Sequence, residues 1–298
     1  MSMKLGFIGL GRMGLNMVFN LIDHKHQVVA YNRSPEPIKE AAGYGAVPAA
    51  SLPDLVGKIS PPRIIWLMVK SGQPVDDFIA RLAPVLKKGD LIIDGGNSYF
   101  EDSKRRYAEL RKKGICFLDC GTSGGMEGAR QGACMMIGGD REAFQKVEVL
   151  FKDMCVKDGY GYMGTAGAGH FVKMVHNGIE YGMMQAIAEG MQAIKNAPFG
   201  TDVKKAVKVY AHGSIVQSRL VDWLAEAYAE GLVDKVEGTV PKGETEEEME
   251  KLEGRAEMPA LHTARMMRVQ SRAKPSYAGK LLAAMRFKFG GHKVVERK

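Results

Sequence analysis

Short apolar runs recur through the first half of the chain, at residues 4–8, 27–31, 64–69, 91–94, 115–118 and 134–137, with amphipathic segments such as 101–113 and 141–152 between them. Runs of that length suit strands, and strands alternating with helical patterns predict a doubly wound α/β sheet. From Gly167 onward no strand pattern recurs, and the apolar spacing predicts helices over 167–195, 203–210, 215–229, 259–272 and 276–289. The expected boundary falls near Gly164, because the glycine-rich stretch 159–169 interrupts the periodicity; this gives a sheet domain of residues 1–164 and an all-α domain of residues 165–298. The acidic run 244–250 reads as a solvated helix face or loop.

The long predicted helix over 167–195 carries an unusual stripe. Lys173, His176, Asn177, Glu180 and Tyr181 stand at i, i+3, i+4, i+7 and i+8, so they share one face, while Met174, Val175, Ile179 and Met183 line the rest. A solvated face is usually built of Lys, Glu and Gln. Here a base, an imidazole, an amide, an acid and a phenol are mixed with Gly178 and Gly182, which are small enough to let a backbone or ligand approach. That combination points to proton chemistry.

A second motif follows the first predicted strand. Gly9-Leu10-Gly11-Arg12-Met13-Gly14 separates it from a helical pattern over 16–22. Glycines in that spacing allow a tight turn, close approach of backbone to a pyrophosphate, and packing of helix on strand, with the helix N-terminus facing the negative charge. The strand, the turn and the helix together predict a Rossmann-type dinucleotide site. The next strand ends at Asn32-Arg33-Ser34, where a NAD site usually places a carboxylate for the ribose 2′-hydroxyl. Arg33 with Asn32 and Ser34 suits a 2′-phosphate instead, so NADP is favoured and NAD remains possible.

Composition adds less. The 298 residues, 45% hydrophobic, suffice for one large or two ordinary domains. The apolar N-terminal stretch is broken by glycines and Arg12, so neither signal peptide nor membrane span is expected, and a cytoplasmic location follows by default. Cys116, Cys120, Cys134 and Cys155 form no CxxC pair and read as buried thiols in a reducing compartment. A net charge of +8 suits an anionic partner without selecting one.

Five segments together carry a resemblance: the glycine turn with Asn32-Arg33-Ser34, then Met68-Val69-Lys70-Ser71-Gly72, Asp94-Gly95-Gly96-Asn97-Ser98, Gly121-Thr122-Ser123-Gly124-Gly125, and Lys173-Met174-Val175-His176-Asn177-Gly178-Ile179-Glu180-Tyr181. In this combination the chain resembles the 6-phosphogluconate dehydrogenases, in their short form. The last segment is the most specific, since related β-hydroxyacid dehydrogenases share the glycines and a catalytic Lys but lack the counterparts of His176 and Glu180.

The resemblance implies oxidative decarboxylation of 6-phosphogluconate to ribulose 5-phosphate and CO2 with NADP, and no metal. It assigns Lys173 as general base on the 3-hydroxyl and Glu180 as the acid that protonates C1 of the enediol. His176 and Asn177 become partners of the reacting hydroxyl and carboxylate. Asn97, Ser123, Gly124 and Gly125 hold substrate beside the nicotinamide, and Val69, Lys70 and Ser71 run along the coenzyme. Tyr181 and Arg268 are placed on the phosphate. Arg286 and His292 are expected to reach into a neighbouring subunit's site, which implies a homo-oligomer of at least two chains. One departure concerns the run Pro241-Lys242-Gly243-Glu244-Thr245, which matches a family phosphate-binding Gly-Lys-Trp-Thr only loosely, so the roles of Lys242 and Thr245 stay open.

Two alternatives compete. Another β-hydroxyacid dehydrogenase, acting on a small unphosphorylated acid, would have no use for Glu180 or for the arginines of the last helices. A NADP-sensing or nucleic-acid-binding protein would show an aromatic-interleaved basic stripe or a helix-turn-helix pattern, and neither is present. Neither nucleic acid nor membrane is therefore an expected partner.

Overall fold

A computed structural model of the chain describes residues 2–243 and 245–297, which form two compact units, Met1–Lys173 and Met174–Lys298. The first unit contains strands β1 (Lys4–Ile8), β2 (Gln27–Tyr31), β3 (Val47–Pro48), β4 (Ile64–Leu67), β5 (Leu91–Asp94), β6 (Cys116–Ser123), β7 (Ala133–Gly139) and β8 (Cys155–Gly164). They form one sheet in the order β3-β2-β1-β4-β5-β6-β7-β8. Pairing is parallel except between β6 and β7. The order of the first six strands is that of the dinucleotide-binding doubly wound fold, with its reversal between β1 and β4.

The continuous apolar runs are explained by helices on both faces. Helices α1 (Arg12–Asp23), α2 (Pro35–Gly43), α3 (Leu52–Gly57), α4 (Gln73–Leu82), α5 (Phe100–Arg111), α6 (Gly125–Gln131) and α7 (Arg141–Met154) alternate with the strands. Side chains of successive strand residues point to opposite faces. Accordingly Phe7, Val28 and Trp66 pack with Met17 and Leu21 of α1 and Phe144 and Phe151 of α7. Their neighbours Ile8, Val29 and Ile65 pack with Leu55 of α3, Ile79 of α4 and Leu110 of α5.

Helix α8 (Ala168–Asn196) begins in the first unit. The second unit is helical, with α9 (Val203–Tyr210), α10 (Arg219–Ala229), α11 (Leu232–Lys235), α12 (Glu246–Glu253), α13 (Pro259–Ser271) and α14 (Tyr277–Gly290). Its core joins Met184, Ala188 and Met191 of α8 to Val207, Leu224, Leu281 and Met285. Gly178 lets α12 and α13 approach α8, since a Cβ there would stand 3.0 Å from Leu252 and 3.3 Å from Leu261. No helix of the described residues is long and apolar enough to cross a membrane.

Four sequence expectations are corrected. The stretch 159–164, read as an interruption, belongs to β8, an edge strand whose glycines and polar residues hid it. Residues 215–218 are a turn, and Ser218 caps α10 by accepting from the Val221 amide. Of the cysteines only Cys120 is buried; Cys134 points outward from β7, between inward Ala133 and Met135. Burial pushes the Cys120 thiol well above its usual range and that of half-buried Cys155 up to about 12. The acidic run is helical from Glu246, but Glu246 itself is buried against Arg272 rather than solvated. Glu244 lies outside the described residues.

Candidate active site

The carboxyl ends of β1, β4 and β5 run into turns that touch one another. Gly9 takes φ +99°, and a Cβ there would stand 2.3 Å from the Met68 carbonyl oxygen and 2.9 Å from Val69 Cγ1. At Gly14 a Cβ would meet the Gly9 carbonyl oxygen at 2.0 Å, and at Gly96 the Val69 carbonyl oxygen at 2.8 Å. Only glycine fits these places. Gly11 differs: nothing stands within 4 Å of its Cβ position, and it begins α1 with no side-chain cap and no acidic residue in the first turn. The N–H groups of that turn and the positive end of the helix therefore face open space beside a closely folded backbone, which fits a dinucleotide pyrophosphate.

Asn32 has a bracing role that its sequence position did not reveal. Its Oδ1 accepts from the Leu10 amide at 3.1 Å, and its Nδ2 donates to the Ser34 carbonyl at 3.2 Å. It ties the end of β2 to the glycine turn. Arg33 and Ser34 are exposed beside it, as are Arg12 and Lys70; Met13, Val69 and Ser71 are half-buried.

The turn after β5, which carries Asn97, is held from beneath. Asp94 accepts from Ser98 Oγ at 2.7 Å, from Arg106 Nη1 at 3.2 Å and from the Gly96 amide at 3.2 Å. Fully buried Arg106 also donates to Asp76 at 2.8 Å and to the Gly72 carbonyl at 3.0 Å. Burial works against the Asp76 charge, but the hydrogen bonds from Arg106 and Arg105 keep its carboxyl below the ordinary range. The turns after β4 and β5 are thus joined through one guanidinium.

Lys173, 9% exposed, sits on a seat of glycines. A Cβ on Gly121 of β6 would stand 2.3 Å from Lys173 Cβ. One on Gly169 would meet the carbonyl oxygens of Met136 and Asp119 at 2.5 and 2.6 Å, so the first turn of α8 lies backbone against backbone on β6 and β7. Buried Asp119 caps that turn across the fold, accepting from the amides of Gly167 at 2.7 Å and His170 at 2.9 Å. Beyond Gly121, Ser123 ends β6, and Gly124 and Gly125 take φ +120° and +62° in the turn into α6.

In the second unit α8 continues with His176 and Asn177 in contact, Nδ1 to Oδ1 at 3.3 Å, and with Glu180 Oε2 4.0 Å from the same imidazole nitrogen. Tyr181 is buried, its hydroxyl 3.0 Å from that of Thr245, and the Arg268 guanidinium lies over its ring at 3.4 Å. Arg268 is 3% exposed; its Nε has no partner, and among the described residues no carboxylate hydrogen-bonds to it. Burial pulls its pKa down to about 10, with neighbouring Arg286 acting in the same direction. Arg286 is buried too, held by the Pro241 carbonyl at 2.9 Å, and burial lowers its pKa as well. Two buried arginines to which no carboxylate among the described residues is hydrogen-bonded, a phenol and a threonine hydroxyl make a site complementary to an anion.

Arg286 lies beside Arg268 because α14 packs in the core of the same unit. His292 is exposed and packs on the Phe289 ring. Lys242 is turned to Glu247 at 2.8 Å on the surface.

Residues 4–164 match the model for the NAD binding domain of 6-phosphogluconate dehydrogenase, and residues 169–274 match the model for the C-terminal domain of the same enzyme. The chain belongs to the 6-phosphogluconate dehydrogenase family. Within that family it is 45% identical to Bacillus subtilis YqeC, which carries a provisional 6-phosphogluconate dehydrogenase name, over 97% of this chain and 98% of the relative. It is 39% identical to the NAD(+)-dependent, decarboxylating 6-phosphogluconate dehydrogenase of Haloferax volcanii, covering 99% of both. The solved 6-phosphogluconate dehydrogenase of Plasmodium falciparum superposes with a TM-score of 0.82 at 30% identity, over 91% of this chain and 62% of that one.

Reading the family motifs alone missed the buried polar residues that hold the motif turns in place. Arg106, Asp76, Asp119, His170 and Ser103 are polar and mostly buried, and each lies near a motif. Asp94 stands inside a motif, and an aspartate ending an otherwise apolar strand, as in 91–94, is the signal that would have exposed its bracing role.

Proposed function

We propose that the chain oxidises and decarboxylates 6-phosphogluconate to ribulose 5-phosphate and CO2 with NADP as the preferred coenzyme. What carries the reading is Lys173, buried on its glycine seat at the start of a helix that bears Glu180 two turns further on. Residues 1–164 serve as the coenzyme domain and 165–298 as the substrate and dimerisation domain.

When bound, the nicotinamide accepts hydride from C3 of the acid. Lys173 removes the proton of the 3-hydroxyl, for which it must be neutral, and a buried amine is less readily charged than a solvated one. The resulting 3-keto acid loses C1 as CO2, its electrons passing to the ketone oxygen, which Lys173 then protonates. Glu180 delivers a proton to the carbon exposed by CO2 loss, and His176 and Asn177 orient the hydroxyl and carboxylate. Asn97, Ser123 and the backbone of Gly124 and Gly125 hold the acid at the coenzyme side. Arg268, Tyr181 and Thr245 take the 6-phosphate, and Arg286 and His292 are offered to the site of a second subunit.

NADP is preferred because Arg33 and Ser34 stand exposed beside an uncharged Asn32 where a 2′-hydroxyl site would hold a carboxylate. The test is a coenzyme and substrate panel. NADPH formation with matching CO2 release from 6-phosphogluconate is the expected result. Reduction without CO2, obtained with a small unphosphorylated 3-hydroxy acid, would replace this reading with that of another β-hydroxyacid dehydrogenase.

A further inference from the structure

His170 lies one turn before Lys173 on α8, is 2% exposed, and uses both ring nitrogens. Its Nε2 is 3.0 Å from the Gly96 carbonyl oxygen and its Nδ1 is 2.7 Å from Ser103 Oγ. A carbonyl can only accept, so Nε2 carries the hydrogen; Ser103 Oγ stands 2.7 Å from Nδ1 and 3.4 Å from the Tyr99 carbonyl oxygen and gives its single hydrogen to the nearer acceptor, the lone pair at Nδ1. The opposite tautomer would set two lone pairs against each other at Gly96. Packing alone would be met by an apolar side chain of similar size, whereas a buried imidazole is favourable only while both polar atoms are satisfied.

The partners give the bonds their meaning. Gly96 belongs to the peptide that precedes Asn97, so the imidazole fixes the plane from which Asn97 starts. The His170 backbone amide is one of the two that Asp119 caps, at 2.9 Å. His170 is thus bonded through its ring to the turn after β5 and through its backbone to β6, and Lys173 follows three residues later.

We propose that His170 is a positioning residue that sets the base Lys173 and the substrate-side Asn97 in fixed register by keying its Nε2–H imidazole between Gly96 and Ser103. This rests on the reading of Lys173 as the base. Misplacing a reacting group by about 1 Å can cost on the order of 100-fold in rate, whereas the glycine turn that takes the coenzyme keeps its own contacts.

The test compares His170→Phe, His170→Gln and Ser103→Ala with the wild type, with thermal melts to establish folding. His170→Phe is expected to lower kcat by roughly 10- to 100-fold while the Kd for NADPH, read by fluorescence titration, changes by no more than about twofold, as for a site outside the coenzyme contacts. His170→Gln retains a donor that reaches the Gly96 carbonyl and recovers about tenfold of that loss, roughly the worth of one buried hydrogen bond. Ser103→Ala lowers kcat less and keeps the Nε2–H signature of His170 in 15N-histidine spectra, because the Gly96 carbonyl still takes that hydrogen. Wild-type kcat in folded His170→Phe, a His170→Gln no better than His170→Phe, or a parallel loss of NADPH affinity would each overturn the proposal. The wild-type tautomer is read without turnover. A chain with the Nε2–H form fixed but no activity on 6-phosphogluconate sinks the substrate assignment and leaves the keying intact, and a mixed tautomer sinks the keying alone.

Discussion

Gly121→Ala tests how Lys173 is seated. The added methyl would stand 2.3 Å from Lys173 Cβ, 2.9 Å from its Cγ and 3.1 Å from the Gly169 carbonyl oxygen. Nonbonded carbons settle at about 3.5 Å or more, so helix and strand must part by about 1.2 Å at this point. Neither neighbour yields easily, since the strand lies inside the sheet between β5 and β7 and the helix start is capped by Asp119. Overpacking of this kind costs about 1–3 kcal/mol, and in a unit of this size each kcal/mol lowers Tm by roughly 2–4 °C. A base displaced by about 1 Å loses on the order of 100-fold in kcat. The assay pairs initial rates of NADPH formation with NADPH titration and thermal melts. A fall in kcat and Tm at unchanged coenzyme affinity is expected. Gly11→Ala, where nothing stands within 4 Å, is expected to do the reverse, raising KM for NADP with little change in Tm. A Gly121→Ala enzyme with wild-type kcat would refute the claim that the missing side chain makes the seat.

Other outcomes follow from the same geometry. Lys173→Met should lower kcat by about 10²- to 10⁴-fold, the usual share of a general acid-base group, with NADPH binding retained in titration. Arg268→Gln should lower kcat/KM for the phosphorylated acid by roughly 10- to 100-fold, one charge-assisted hydrogen bond or two, and leave any activity on unphosphorylated gluconate unchanged. Arg33→Ala should lower kcat/KM with NADP and not with NAD, so that the ratio of the two moves toward NAD. A pH effect is expected at His26, whose pKa burial lowers although Asp153, 3.0 Å from Nε2, opposes the shift. Because the folded form takes up the proton less readily than the unfolded chain, stability is full above the ordinary histidine value of about 6.5 and falls as the pH drops below it. Chemical denaturation between pH 7.5 and 5 should show that slope in the wild type and a shallower one in His26→Gln.

Much of the fold could be read from local pattern because each strand in the middle of the sheet is apolar on both faces, and such runs resemble little else. β1, β2 and β5 fall on the residues their apolar runs mark out. β8 escaped because an edge strand pairs on one side only and its run Cys155–Gly164 is rich in glycine and polar residues. β3, two residues long, has no periodicity to detect. The site divides in the same way. Gly9, Gly11 and Gly14, or Lys173 and Glu180, are marked by residue type at short spacing, which a single stretch of chain displays.

The groups that hold these residues are marked by partners far away in the chain. Ser103 meets His170 across 67 residues, Asp119 meets Gly167 across 48, and Arg106 meets Asp76 across 30. No local pattern encodes such pairs, since an aspartate ending a strand or a histidine in a helix has many ordinary uses. The two sets also fail differently. Removing a group that touches the reacting acid removes its chemistry, while removing a brace leaves every motif residue present but displaced. A relative could therefore keep the glycine turn and the stripe from Lys173 to Tyr181 intact and still turn over slowly, if Asp119 or Arg106 were replaced; restoring the buried pair, rather than any motif residue, would then be the change that recovers the rate.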